Sequence, residues 1–248
     1  MKKTLLTSIL GILVAGFALA QSEETRNLSS FSEIAAQEGI DVFIKQGDKE
    51  EARVVSESHD LDEVLTEVSG GRLKIHLEGN NHRNIDVDVY VTYKSIQAIS
   101  ASSAASLTSE GTIDANGNDF DVDVSSAGDV DAKIENADEL SIDASSAGDA
   151  RLKVQANEVE AEVSSAGEIE ISGKARKQDI GASSSGDYDG YDLESEEVEA
   201  NASSGGTIKV NVSNRLDARA SSGGSVRYKG SPQYLDASSS SGGSVRKS

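Results

Sequence analysis

The residue types in this chain that could do chemistry are three histidines, a recurring serine pair and a file of carboxylates. None of His59, His76 and His82 sits in a His-x-x-x-His pair, and an imidazole does proton chemistry only beside placed partners. His76 faces inward if Leu73 and Ile75 face out, and outward otherwise. The serines lie in no Gly-x-Ser-x-Gly elbow, no phosphate loop is present, and a serine nucleophile needs an adjacent base. Asp129, Asp149, Glu168 and Asp187 each follow a recurring glycine. Stacked at the strand spacing of about 4.8 Å, these four would repel and raise one another's pKa. Calcium between rungs would relieve that, so they are the candidate metal ligands and calcium is the one cofactor left open. The surrounding words do not match the Gly-Gly-x-Gly-x-Asp calcium repeat, and a solvated face that guards exposed strands is the plainer reading. Paired carboxylates also serve glycosidases and lyases. A catalytic pair usually breaks a repeat, however, and these residues follow one. Lys and Arg are scattered, as at Arg151, Lys153 and Arg176. No catalytic residue is expected.

The elements that would position these groups are set by a repeat. Ser102-Ser103-Ala104-Ala105 is followed by related words beginning at Ser125, Ser145, Ser164, Ser183, Ser203, Ser221 and Ser240, at steps of 18 to 23 residues. The flanks alternate with period two, the signature of strand. Leu140, Ile142, Ala144, Ser146, Gly148, Ala150, Leu152 and Val154 share one parity, and the other parity is mostly Asp, Glu, Lys, Ser and Asn. A coil of about 19–20 residues cannot bury its apolar edge alone; stacked coils bury it continuously and pair each strand with its copy. The fold class expected is therefore all-β, a single-stranded parallel β-helix (β-solenoid). Its seven intervals span roughly 34 Å. An antiparallel sandwich needs hairpin turns such as Asn116-Gly117 at every join, and the other joins lack them.

Parity run straight through each word assigns structural corners to Ser126 and Gly128, Ser146 and Gly148, Ser165 and Gly167, Ser184 and Gly186, Ser204 and Gly206, and Ser222 and Gly224. It turns both residues of each pair inward. Glycine permits a bend and a close backbone approach, and stacked inward hydroxyls would bond one another or the backbone. The outward strip of Ser125, Ala127, Ser145, Ala147, Ser164 and Ala166 is small-chained and would suit a flat partner.

Residues 1–20 read as a signal peptide. Lys2 and Lys3 precede an apolar run from Leu5 to Leu19, and Ala18-Leu19-Ala20 places cleavage after Ala20. The run is short for a membrane anchor, which needs about 20 apolar residues, and no other stretch approaches membrane length. No cysteine is available for lipid attachment or disulfides. One domain, 21–248, is expected: irregular N-terminal coils and cap over 21–100, then regular coils over 101–248. Strands are expected at 41–46, 52–56, 72–77 and 85–93, with a helical turn or an extended link at 61–68. No C-terminal cap is evident. Arg246 and Lys247 act against edge pairing there, or another molecule covers that end, so end-to-end and side-by-side self-association stay open.

Loss of Lys2 and Lys3 takes the formal charge from −20 to −22. Nucleic acid and anionic membranes are then poor partners. Trp is absent, with 4 Phe and 6 Tyr, which argues against a deep saccharide cleft.

The chain resembles a family of exported bacterial proteins, the putative auto-transporter adhesin head domains or head GIN domains. The matching stretches are Phe31-Ser32-Glu33-Ile34, the segment from Gly39 to Gly47, Val68 to Ile75, Val87 to Tyr93, and Ile96 to Ile99, followed by the Ser/Gly-rich coils. The resemblance implies a parallel β-helix without catalytic residues and a role in adhesion, the latter by analogy of fold. This chain has Ser-Ser-Ala-Gly where Gly-rich words are common in the family, and it lacks the aromatic-flanked strands of a translocator barrel. The expectation is a non-enzymatic protein of the periplasm, outer envelope surface or extracellular space that engages a surface protein or polysaccharide. A polysaccharide-lyase-like enzyme and a calcium-stabilised envelope protein are the alternatives.

Overall fold

The computed structural model describes residues 22–79 and 83–248. The signal segment expected at 1–20, its cleavage after Ala20, and His82 lie outside the described residues. Strand β1 (Ser22–Asn27) is followed by β2 (Glu33–Ala36), β3 (Asp41–Gln46) and β4 (Glu51–Ser56). A single 3-10 turn, Leu61–Glu63, leads into β5 (Val64–Ser69), β6 (Arg72–Leu77) and β7 (Val87–Tyr93). Then come β8 (Ala98–Ala101), β9 (Ser106–Asp114) and β10 (Phe120–Val124).

From there the period-two alternation is nearly unbroken, and whole coils read as one strand. These are β11 (Asp129–Ala144), β12 (Asp149–Val163), β13 (Glu168–Ala182), β14 (Asp187–Ala202) and β15 (Thr207–Ala220). The chain ends with β16 (Ser225–Gly230), β17 (Tyr234–Ser239) and β18 (Ser244–Lys247). Successive coils pair in parallel and in register: Val130 with Ala150, Ile142 with Ala161, Ala161 with Ile180. The fold is a parallel β-solenoid.

Each coil holds two strand segments. They are joined on one side by the Ser-Ser-x-Gly corner and on the other by a bend, where Asn136 adopts φ 57° and the β11–β12 register slips between Glu135 and Ala137. The inward residues of both segments form one core, among them Phe120, Ile134, Leu140, Ile142, Ile180, Leu193 and Leu216. Burying each such side chain contributes about 1.5–3 kcal/mol, which a lone coil could not realise.

The N-terminal region departs from the repeat. A corner of the same geometry occurs at residues 37–40, with Glu38 at φ 62° and Gly39 at φ 69°. Around this corner and before the one at Ser102 the chain makes antiparallel pairs: β4 lies antiparallel to both β1, which precedes the corner, and β7, and β5 is antiparallel to β6. These hairpins cover one end of the core, as a capping segment must. The segment expected as a helical turn or link at 61–68 is the 3-10 turn followed by β5.

Candidate functional site

At each corner the backbone makes a tight turn of mirror-image handedness. Ser126 and Ala127 adopt φ 53° and 59°, and Gly128 N–H donates to Ser125 O at 2.9 Å. The next corners repeat this at Ser146–Ala147 and Ser165–Ala166. Both left-handed residues point outward. The expected inward placement of Ser126, Ser146, Ser165, Ser184, Ser204 and Ser222 is therefore wrong: all six are exposed. Parity assumes an extended chain; the two left-handed residues of the turn break it at the serine, and it resumes unchanged at the glycine. Gly128, Gly148, Gly167, Gly186, Gly206 and Gly224 are buried as expected, for a steric reason rather than a dihedral one. A Cβ on Gly148 would lie 2.5 Å from Val124 O of the coil below. Corners also bond between coils, Ala127 N–H to Ser146 O at 3.1 Å and Ala147 N–H to Ser165 O at 3.2 Å.

The carboxylates after the glycines do stack: Asp129 pairs with Asp149, Asp149 with Glu168, and Glu168 with Asp187. Cationic side chains relieve their repulsion. Arg151 donates from Nη1 to Asp129 Oδ2 at 2.8 Å and from Nη2 to Asp149 Oδ2 at 2.7 Å. Lys209 lies 3.7 Å from Asp187 Oδ1 and 2.8 Å from Asp189 Oδ2. Burial nevertheless raises the Asp149 pKa against the lowering by Arg151. Among the described residues no group of three or more His, Asp or Glu is arranged to hold a metal.

A denser acidic face lies on the other strand segment. Asp121, Ser141, Glu160, Asp179 and Glu199 form one row, and Asp123, Asp143 and Glu162 another. Partial burial, then neighbouring carboxylates, push the pKa of Asp121, Asp123, Asp143 and Glu162 upward. Glu139 and Asp179 are raised by the same two causes. The alternation Asp121-x-Asp123 and Glu158-x-Glu160-x-Glu162 was the available signal. These carboxylates sit away from the corner glycines, so the repeat words do not mark them.

Among the described residues the core holds a polar trio. Tyr188 fills an inward position, its phenol donating to Gln178 Oε1 at 2.7 Å, while Gln178 Nε2 donates to Ser195 Oγ at 2.6 Å. Gln178 and Ser195 are buried, and burial pushes the Tyr188 pKa far upward. Beside Ser195 an open groove of about 600 Å³ runs over the bend, flanked by Lys174, Arg176, Glu194 and Glu196. His76 faces outward over Glu67 Oε2 at 3.4 Å, with Leu73 and Ile75 buried behind it. His59 Nδ1 meets Ser58 Oγ at 2.7 Å. No nucleophile, base and oxyanion donor converge at any of these places.

Residues 30–232 match a protein family described as "Putative auto-transporter adhesin, head GIN domain". No curated protein matches the chain. Solved structures share the fold. A putative adhesin from Parabacteroides distasonis superposes with a TM-score of 0.85 at 19% identity, over 92% of this chain and 97% of that one. A putative lipid binding protein from the same species gives 0.80 at 21% identity, over 92% and 96%. A putative adhesin from Parabacteroides merdae gives 0.79 at 16% identity, over 92% and 96%.

Proposed function

Because the chain belongs to the putative auto-transporter adhesin, head GIN domain family, we propose that it works as a non-enzymatic, exported β-solenoid of the cell envelope or surface that engages a protein or polymer. In this reading the signal segment is removed after Ala20 and residues 21–248 form the working domain. The observation that carries it is the geometry of the outer faces. Rows of charged side chains are locked at strand spacing along a rod whose interior holds its own apolar side chains, with open grooves on its surface such as the one beside Lys174 and Arg176. Such a surface suits a partner that is itself extended. Among the described residues no helix is long and apolar enough to cross a membrane. The lipid-binding description of one structural neighbour is a statement about that protein; here the interior is occupied by apolar side chains such as Ile134, Leu140 and Leu193.

A polysaccharide-lyase reading keeps one observation: Asp131, Arg151, Lys153 and Glu170 line a shallow depression of about 190 Å³. Against it, the Arg151 guanidinium is already held by Asp129 and Asp149. The test is retention of the exported chain on immobilised envelope polymers and surface proteins, run beside a screen of acidic polysaccharides for unsaturated products. Saturable retention without turnover is expected. Turnover that disappears in Asp131→Ala or Glu170→Ala would overturn the proposal, as would recovery of the protein in the cytoplasmic fraction.

A further inference from the structure

The two ends of the solenoid are chemically opposite. At the C-terminal end, among the described residues, β18 pairs only with β16 and β17 only with β15, which leaves one edge of each strand unpaired. The inward side of this rung is uncovered: Leu235, in register with buried Leu216, is 51% exposed. The rung is also basic. Residues 225–248 carry four bases and one acid, whereas residues 1–224 carry 19 bases and 42 acids. Arg227 and Arg246 stand in register on adjacent strands behind Lys209, and none of Arg227, Lys229, Arg246 and Lys247 has a carboxylate partner among the described residues.

At the other end, among the described residues, β1 pairs only with β4, and β5 only with β6. Residues 57–67 carry five acids and no Lys or Arg, and β1 adds Glu23 and Glu24, which Arg53 and Arg26 engage. Strand β1 is antiparallel to β4, β4 to β7, and β7 is parallel to β3. It therefore runs in the same sense as β18, and a β18 edge laid on a β1 edge would continue the same parallel sheet.

We propose that the solenoid assembles head to tail with a second copy of itself, the basic rung of β17 and β18 docking on the acidic end built by β1 and residues 57–67. An open strand edge is a template for pairing. Its charge selects the partner: two basic rungs face to face would repel, while basic on acidic attracts. The contact is heterologous, so it does not close and copies add in line.

The test is sedimentation of the exported chain across a range of concentrations, with three variants. Wild type should grow in mass beyond two copies. Arg246→Glu with Lys247→Glu, and Asp62→Lys with Glu63→Lys, should each weaken association about tenfold or more, yet an equimolar mixture of the two should recover it. Leu235→Asp, already exposed in a single copy, should lose assembly with an unchanged melting midpoint. Wild type that stays monomeric, growth that stops at a dimer, or a tail variant that assembles as wild type does would each overturn the proposal.

Discussion

The corner glycine offers the sharpest test of how the coils are held. In Gly148→Ala a Cβ would sit 2.5 Å from Val124 O, 2.7 Å from Val124 C and 2.9 Å from Ser125 N. Side-chain carbons do not approach that closely, so the coils must part by about half an ångström. Two bonds cross there: Ser145 N–H to Val124 O at 2.9 Å and Asp149 N–H to Gly128 O at 3.0 Å. Stretching either by that much takes it out of good geometry. Overpacking costs about 1–3 kcal/mol, and a weakened backbone bond adds about 1 kcal/mol. A loss of about 2–4 kcal/mol is expected, a fall in melting midpoint of about 5–15 °C for a chain of this size. Gly223→Ala probes the other demand of the same word. Its φ is 79° and nothing lies within 4 Å of an added Cβ, so only the left-handed conformation is penalised, by about 0.5–1 kcal/mol. Ala147→Gly, at φ 60°, should gain a similar amount. The assay is thermal and denaturant unfolding of the three variants side by side. If Gly148→Ala costs no more than Gly223→Ala, the steric account of the corner is wrong.

Further outcomes follow from the carboxylate rows and the buried trio. Native-state pKa values of Asp121, Asp123, Glu139, Asp143, Glu162 and Asp179 are raised, so the folded state binds protons more readily than the unfolded one. Their contribution is full below the unfolded values near 4 and is lost as pH rises through the raised ones. The melting midpoint should therefore climb as pH falls from 7 toward about 4.5, and a midpoint that drops throughout would refute this. Asp143→Asn, which removes one charge from the face without changing its shape, should raise stability at pH 7 by about 0.5 kcal/mol, with the gain shrinking in high salt. Tyr188→Phe leaves Gln178 Oε1 buried without its donor and should cost about 1–3 kcal/mol. An unfolding midpoint equal to wild type would show that the trio is not paired as described. Arg151→Ala exposes Asp129 to Asp149 and should lower stability by up to about 1 kcal/mol at low salt and by nothing measurable in high salt, since the pair is partly exposed.

Much of this molecule is legible along the chain because a solenoid is nearly one-dimensional: each coil contacts only its neighbours, so period and parity translate directly into stacking and core. The alternation from Leu140 to Val154, and the glycine at the end of each word, predict the parallel coils and the buried Gly148 without reference to distant residues. Three things needed the tertiary structure. The orientation of Ser126 and its equivalents depends on two left-handed residues, a dihedral choice that a period-two pattern cannot register. The antiparallel cap joins β1, β4, β5, β6 and β7 by pairings that follow no repeat period. The character of the surface depends on which charges become neighbours. Arg151 reaches carboxylates in its own coil and the one below, Glu162 joins Asp143 across coils, and the basic last rung is distinctive only because the opposite end is acidic. Local periodicity determined the rod, while contacts between coils and the contrast between its ends decided what the rod presents.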